Sequence, residues 1–121
     1  MPQPELAVGL GLRPGTPADA IVAAVRDVLG AAPIGRLATI EQRAREQGFA
    51  QAAERLGASV LAFTAAQLDE VSVPHPSERV AMATGTGSVA EAAALLASGS
   101  RELAIPKKVI DGLVIAAAII D

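Results

Sequence analysis

The chain lacks cysteine, tryptophan and tyrosine, and among its 121 residues it has one histidine and two phenylalanines. Without cysteine there is no disulfide framework, no thiolate zinc or iron–sulfur site and no cysteine nucleophile. A zinc site that needs two or three histidines cannot be built from His75 alone. Two phenylalanines are too few for a base-stacking platform for single-stranded nucleic acid. A formal net charge of −3 is the opposite of the basic footprint of a nucleic-acid binder. No nucleic-acid partner, no cofactor and no protein-held metal are therefore expected.

Long hydrophobic runs are also missing. A spanning helix needs roughly 20 consecutive apolar residues, whereas the longest run, Gly112 to Ile120, has nine. The opening Met1-Pro2-Gln3-Pro4-Glu5 has no basic n-region and does not read as a secretory signal. The expectation is a cytoplasmic protein with no membrane partner. What the chain does contain is aliphatic: 35 Val, Ile, Leu, Met and Phe residues, with 27 alanines. That suffices for one compact domain over residues 1–121, with alanine allowing helices to pack close to a sheet.

Short β-like runs alternate with helical patterns. Glu5 to Leu12 reads as a strand that ends in Gly9-Leu10-Gly11-Leu12-Arg13-Pro14-Gly15. Thr16 is placed to cap a helix, with Pro17 in the first helical position and Asp19 answering the cap. Ile21, Val25, Val28 and Leu29 then make one apolar face, closed by Gly30 and Pro33. Ile34 to Ile40 is a second strand, followed by the polar segment Glu41 to Gln47. A helical period starts at Phe49, continues through Ala52, Ala53 and Leu56, and stops at Gly57. Ser59 to Phe63 is a third strand, and Thr64 to Gln67 is a capping box that opens a short helix holding Leu68.

Val71 to Pro76 is a proline-broken connector that contains His75. Ala83-Thr84-Gly85-Thr86-Gly87 is a small-residue loop, and Ser88 with Glu91 reads as another capping box. Two last strands, Leu103 to Ile105 and Leu113 to Ile120, flank a longer hairpin loop with Lys107 and Lys108 at its tip. The expected fold class is α/β, three-layer-like α/β/α, with a mixed, mostly parallel sheet of about five strands.

In such sheets ligands gather beyond the carboxyl ends of the parallel strands. Gly11 to Thr16, Glu41 to Gln47 and Thr64 lie there. These segments supply Arg13, Glu41, Arg43 and Glu46, and the helix starts at Thr16 and Ser88 follow glycine loops that favour an anion. Spacing of Gly9, Gly11 and Gly15 does not fit the dinucleotide fingerprint, and no P-loop, nucleophile elbow or EF-hand loop is present.

Five segments in order carry a resemblance: Gly9-Leu-Gly-Leu-Arg-Pro-Gly-Thr16, Leu37-Ala-Thr-Ile-Glu41, Pro74-His-Pro-Ser-Glu78, Ser88-Val-Ala-Glu-Ala-Ala-Ala-Leu95 and Ile105-Pro-Lys107. Together they resemble the CobE/CbiG C-terminal family of cobalamin (vitamin B12) biosynthesis, over Leu6 to about Ile120. The sequence departs from the family pattern at Leu12, where a cysteine is usual, at Pro14, where a second basic residue is usual, and at His75, where an asparagine is usual. Glu41-Gln42-Arg43 stands for the family's Asp-x-Lys, and Val114-Ile115-Ala116 for its threonine-containing last strand.

The resemblance implies a corrinoid or precorrin partner, a macrocycle rich in acetate and propionate carboxylates, and contact with other cobalamin-pathway enzymes. The residues it points to for binding are Gly11, Arg13, Gly15, Thr16, Glu41, Arg43, Thr84, Gly85, Thr86, Gly87, Ser88, Lys107 and Lys108. For catalysis, Glu41, Glu46 and His75 are the candidates. Three functions stay open at this point: binding of a polycarboxylate intermediate, opening of a precorrin-5A-type lactone with loss of acetaldehyde, and an unrelated nucleotide- or phosphate-binding module.

Overall fold

The computed structural model describes residues 5–71, 89–100 and 102–120. Its five-stranded sheet has the order β3-β2-β1-β5-β4, with β1 at Leu6–Gly11, β2 at Ile34–Ile40, β3 at Ser59–Phe63, β4 at Ile105–Ile110 and β5 at Leu113–Ile119. β1, β2 and β3 pair in parallel, while β5 runs antiparallel to both β1 and β4. Four strands thus share one direction and only β5 reverses. This is the mixed sheet that alternating strands and helices, with no helix between the last two strands, predict.

Side-chain alternation divides the core into two layers. Leu6, Val8 and Leu10 of β1 and Leu113, Ile115 and Ala117 of β5 face helices α1 (Ala18–Leu29) and α3 (Gln47–Leu56). In α1, Ile21 and Val25 are fully buried, each worth about 1.5–3 kcal/mol of apolar burial. On the opposite face, Ala7 and Ala38, together with Val114, Ala116 and Ala118, meet α4 (Ala65–Asp69) and α5 (Val89–Ser98).

That second layer is built from small residues. A Cβ on Gly9 would lie 1.9 Å from the Ala90 carbonyl oxygen and 2.6 Å from the Ala94 nitrogen. Gly9 therefore serves helix-on-sheet contact in mid-strand and takes no part in the turn after β1. α5 is buried along its length except at Leu96, and half of its ten residues are alanine, so it rests directly on this flat surface. Among the described residues no helix is long and apolar enough to cross a membrane.

Three local expectations are corrected. Pro17 is the N-cap of α1, and no side chain caps that helix. The Thr16 hydroxyl instead donates to the Arg13 carbonyl at 2.7 Å, and Asp19 pairs with Arg55 of α3 at 2.6 Å. The polar segment after β2 contains a short helix, α2 (Glu41–Ala44), and α3 begins at Gln47 instead of Phe49. Glu, Gln, Arg and Ala are good helix formers, and α2 buries only Ala44, so no apolar period marks it.

Third, Lys107 and Lys108 are not at a hairpin tip. They belong to β4, and the turn is the two-residue Asp111-Gly112, at φ 50° and 82°. Asp-Gly suits a turn with two positive φ values. The register shifts between Ile105 and Lys108, so Pro106 and Lys107 form a bulge in an edge strand, where a missing N–H is tolerated. The Thr64–Gln67 capping box, by contrast, is made in both directions.

Candidate functional site

β1 and β2 end side by side, and the buried Thr39 hydroxyl donates to the Leu10 carbonyl at 2.7 Å. This bond ties the two strands together just below the segments that leave them. From β1 the chain passes through exposed Arg13, Pro14 and Gly15 and half-buried Thr16 into α1. Gly15 adopts φ 80°, a left-handed conformation natural to glycine. From β2 the chain enters α2 and α3.

Glu46, the N-cap of α3, joins the two segments. One carboxylate oxygen accepts the Gly15 N–H at 2.8 Å, and the other pairs with Arg43. The N–H that a bound anion would have used is thus occupied by a carboxylate of the protein itself. Gly48 completes the junction, because a Cβ there would sit 2.4 Å from the Thr16 carbonyl oxygen.

Two hollows of about 520 Å³ each flank the Gly15–Pro17 loop. Small-molecule sites span roughly 300–1,000 Å³. The first is bounded by Glu46, Gln47, Gly48 and Gln51. The second is bounded by Arg13, Ala20 and the Asp111-Gly112 turn, which lies at the same end because Gly11 pairs with Val114. Arg13 is exposed at this rim with no side-chain partner among the described residues. At the start of α1 the Ala20 and Ile21 N–H groups bond to the Pro17 carbonyl, which leaves those of Asp19 and of Ala18, on the first hollow, without intrahelical partners.

The structure brings together Arg13, Gly15, Thr16, Arg43 and Glu46. It does not bring in the others. Gly11 is the last ladder residue of β1 and is buried. Glu41 opens α2 at the same sheet end but borders neither hollow. Lys107 and Lys108 lie along β4 and border neither hollow. His75, Thr84, Gly85, Thr86, Gly87 and Ser88 lie outside the described residues.

The capping box expected of Ser88 and Glu91 cannot be traced, because Ser88 lies outside the described residues. One oxygen of Glu91 accepts from the Lys107 backbone N–H at 3.4 Å, and the other has no partner among the described residues. Sequence reading missed Gly48 and the Asp111-Gly112 turn. An isolated glycine within a helical pattern and an Asp-Gly pair between apolar runs are the signals that mark them.

The model of a family described as cobalamin synthesis G C-terminus matches residues 6–118. A cobalt-precorrin-5A hydrolase from Priestia megaterium is 31% identical over 120 residues, which are 95% of this chain and 32% of that protein. The chain therefore spans about a third of that relative's length. Protein CobE from Sinorhizobium sp is 34% identical over 112 residues, 87% of this chain and 73% of that one. The crystal structure of CobE, described as a protein from the cobalamin (vitamin B12) biosynthetic pathway, superposes with a TM-score of 0.75 at 29% identity. It covers 98% of this chain and 94% of its own.

Proposed function

This chain belongs to the cobalamin synthesis G C-terminus family and is a cobalamin-biosynthesis protein of the CobE/CbiG C-terminal type; from that premise we propose that it binds a corrinoid or precorrin intermediate by its peripheral carboxylates. The observation that carries this reading is Arg13, an exposed cation with no side-chain partner among the described residues, on the rim of the second hollow. A guanidinium presents paired donors that match a carboxylate. The start of α1 adds N–H groups and the positive end of a helix dipole beside it.

Glu46 favours binding over catalysis. Its two oxygens are engaged by the Gly15 N–H and Arg43, which leaves it poorly placed to take a proton from water. The function is then to carry the intermediate or present it to another enzyme of the pathway. The hydrolase among the relatives keeps a second reading open, opening of a precorrin-5A-type lactone, with half-buried Glu41, at the same sheet end but outside both hollows, as its candidate base.

Two measurements separate these readings. Co-elution of hydrogenobyrinic acid with the protein on gel filtration, without acetaldehyde release from precorrin-5A, is the expected result. No co-elution would overturn the binding reading. Acetaldehyde release by this chain alone would replace it with the hydrolytic one.

A further inference from the structure

Glu91 has chemistry that the surface at Arg13 does not use. Its side chain is fully buried at 0% exposure. Oε2 accepts a long hydrogen bond, 3.4 Å, from the Lys107 N–H, and Oε1 has no partner among the described residues. The Lys107 N–H turns toward α5 at the place where the register shift takes β4 out of regular pairing.

A buried carboxylate with half its acceptor capacity unused is unfavourable. Its neighbours along α5, Ala90, Ala94 and Leu95, belong to an apolar cluster with Val114 and Ala116. An apolar side chain of similar volume would suit that setting better. The helix dipole eases a negative charge in the first turn of α5 but supplies no hydrogen-bond donor to Oε1. Polar groups left incomplete in the free protein are a recurrent feature of functional sites.

Position gives the direction. Arg36, near the start of β2, donates to the Ala97 carbonyl near the end of α5. α5 therefore starts at the carboxyl end of the parallel strands, and Glu91 stands in its first turn, toward the sheet end that holds Arg13 and the Asp111-Gly112 turn. The two lie on opposite faces of the sheet.

We propose that Glu91 contacts the bound molecule, its free Oε1 accepting an N–H or O–H donor. This assignment rests on the corrinoid reading. On that reading the donor is an inner ring N–H of the metal-free macrocycle or the O–H of a protonated side-chain acid, while arginine holds the ionised carboxylates.

The test uses Glu91→Gln and Glu91→Met in the full chain, with hydrogenobyrinic acid as the probe and its cobalt-bearing counterpart, cobyrinic acid, beside it. Glu91→Gln is expected to fold and to bind hydrogenobyrinic acid at least 10-fold more weakly. Glu91→Met is expected to melt higher than the wild type while binding no better than Glu91→Gln. A defect confined to hydrogenobyrinic acid assigns the donor to the ring N–H, and an equal defect with both ligands assigns it to a side-chain O–H.

Wild-type affinity in Glu91→Gln overturns the assignment. A lower Tm in Glu91→Met also overturns it, because the carboxylate is then a structural support. If the wild type binds neither probe, the corrinoid reading itself falls and takes this assignment with it. That outcome is distinguishable because the variants then have no affinity to lose.

Discussion

Substituting Gly9 with alanine tests the packing on which the second core layer depends. The new Cβ would sit 1.9 Å from the Ala90 oxygen, 2.6 Å from the Ala94 nitrogen and 2.9 Å from the Ala90 carbonyl carbon. All three are backbone atoms of α5, so no rotamer change relieves the overlap. The helix must back away from β1, and that loosens its packing on Ala7, Ala38, Ala116 and Ala118 as well. Overpacking typically costs about 1–3 kcal/mol, and a clash with backbone belongs at the upper end, near ~3 kcal/mol.

For a domain of this size about 4 °C of Tm is lost per kcal/mol, so the melt should fall by about 12 °C. Gly57→Ala is the control. Gly57 has φ 72°, and nothing lies within 4 Å of the point where an alanine methyl group would stand, so only left-handed strain of about 1 kcal/mol applies. Far-UV circular dichroism melts of the two variants compare the effects directly. A Gly9→Ala melt within about 4 °C of the wild type, or above that of Gly57→Ala, would refute the close approach of α5 to β1.

Other outcomes follow from the same packing and bonding. Thr64→Ala removes a capping box made in both directions and should cost about 0.5–2 kcal/mol in a denaturant titration; no change would mean α4 contributes nothing to cooperative stability. Arg55→Ala breaks an ion pair whose side chains are 50% and 89% exposed, so its unfolding midpoint should move by less than about 1 kcal/mol equivalent. A larger loss would show that this pair fixes α1 against α3. Arg13→Ala should leave the thermal melt unchanged, since the side chain is exposed. Each charge-assisted hydrogen bond that it removes should cost about 1.5–3 kcal/mol of ligand affinity if desolvated, or about 10- to 100-fold.

The sheet and its long helices were legible because their side chains face two different environments. Alternation in β1 and β5 and the period through Ile21, Val25 and Leu29 record burial on one side directly. α2 was not legible, because it buries a single alanine and carries no period. β4 reads as a loop because an edge strand with a bulge, a proline and two lysines shows only partial burial at alternate places.

At the site, Arg13, Gly15, Arg43 and Glu46 could be named from residue type and position after the strands. Their mutual arrangement could not, since Gly15 and Glu46 are 31 residues apart. Glu91 shows the limit of local spacing. Its carboxylate accepts from the Lys107 N–H, 16 residues onward, a pairing that no local spacing marks.

The central claim is that Arg13 and the start of α1 hold the carboxylates of a corrin-type macrocycle. It is tested most directly by absorbance titration of the wild type and Arg13→Ala with hydrogenobyrinic acid. The account predicts a saturable spectral shift for the wild type and binding weakened by about 10- to 100-fold in the variant, with identical thermal melts. No shift in the wild type, or equal affinity in the two proteins, would contradict it.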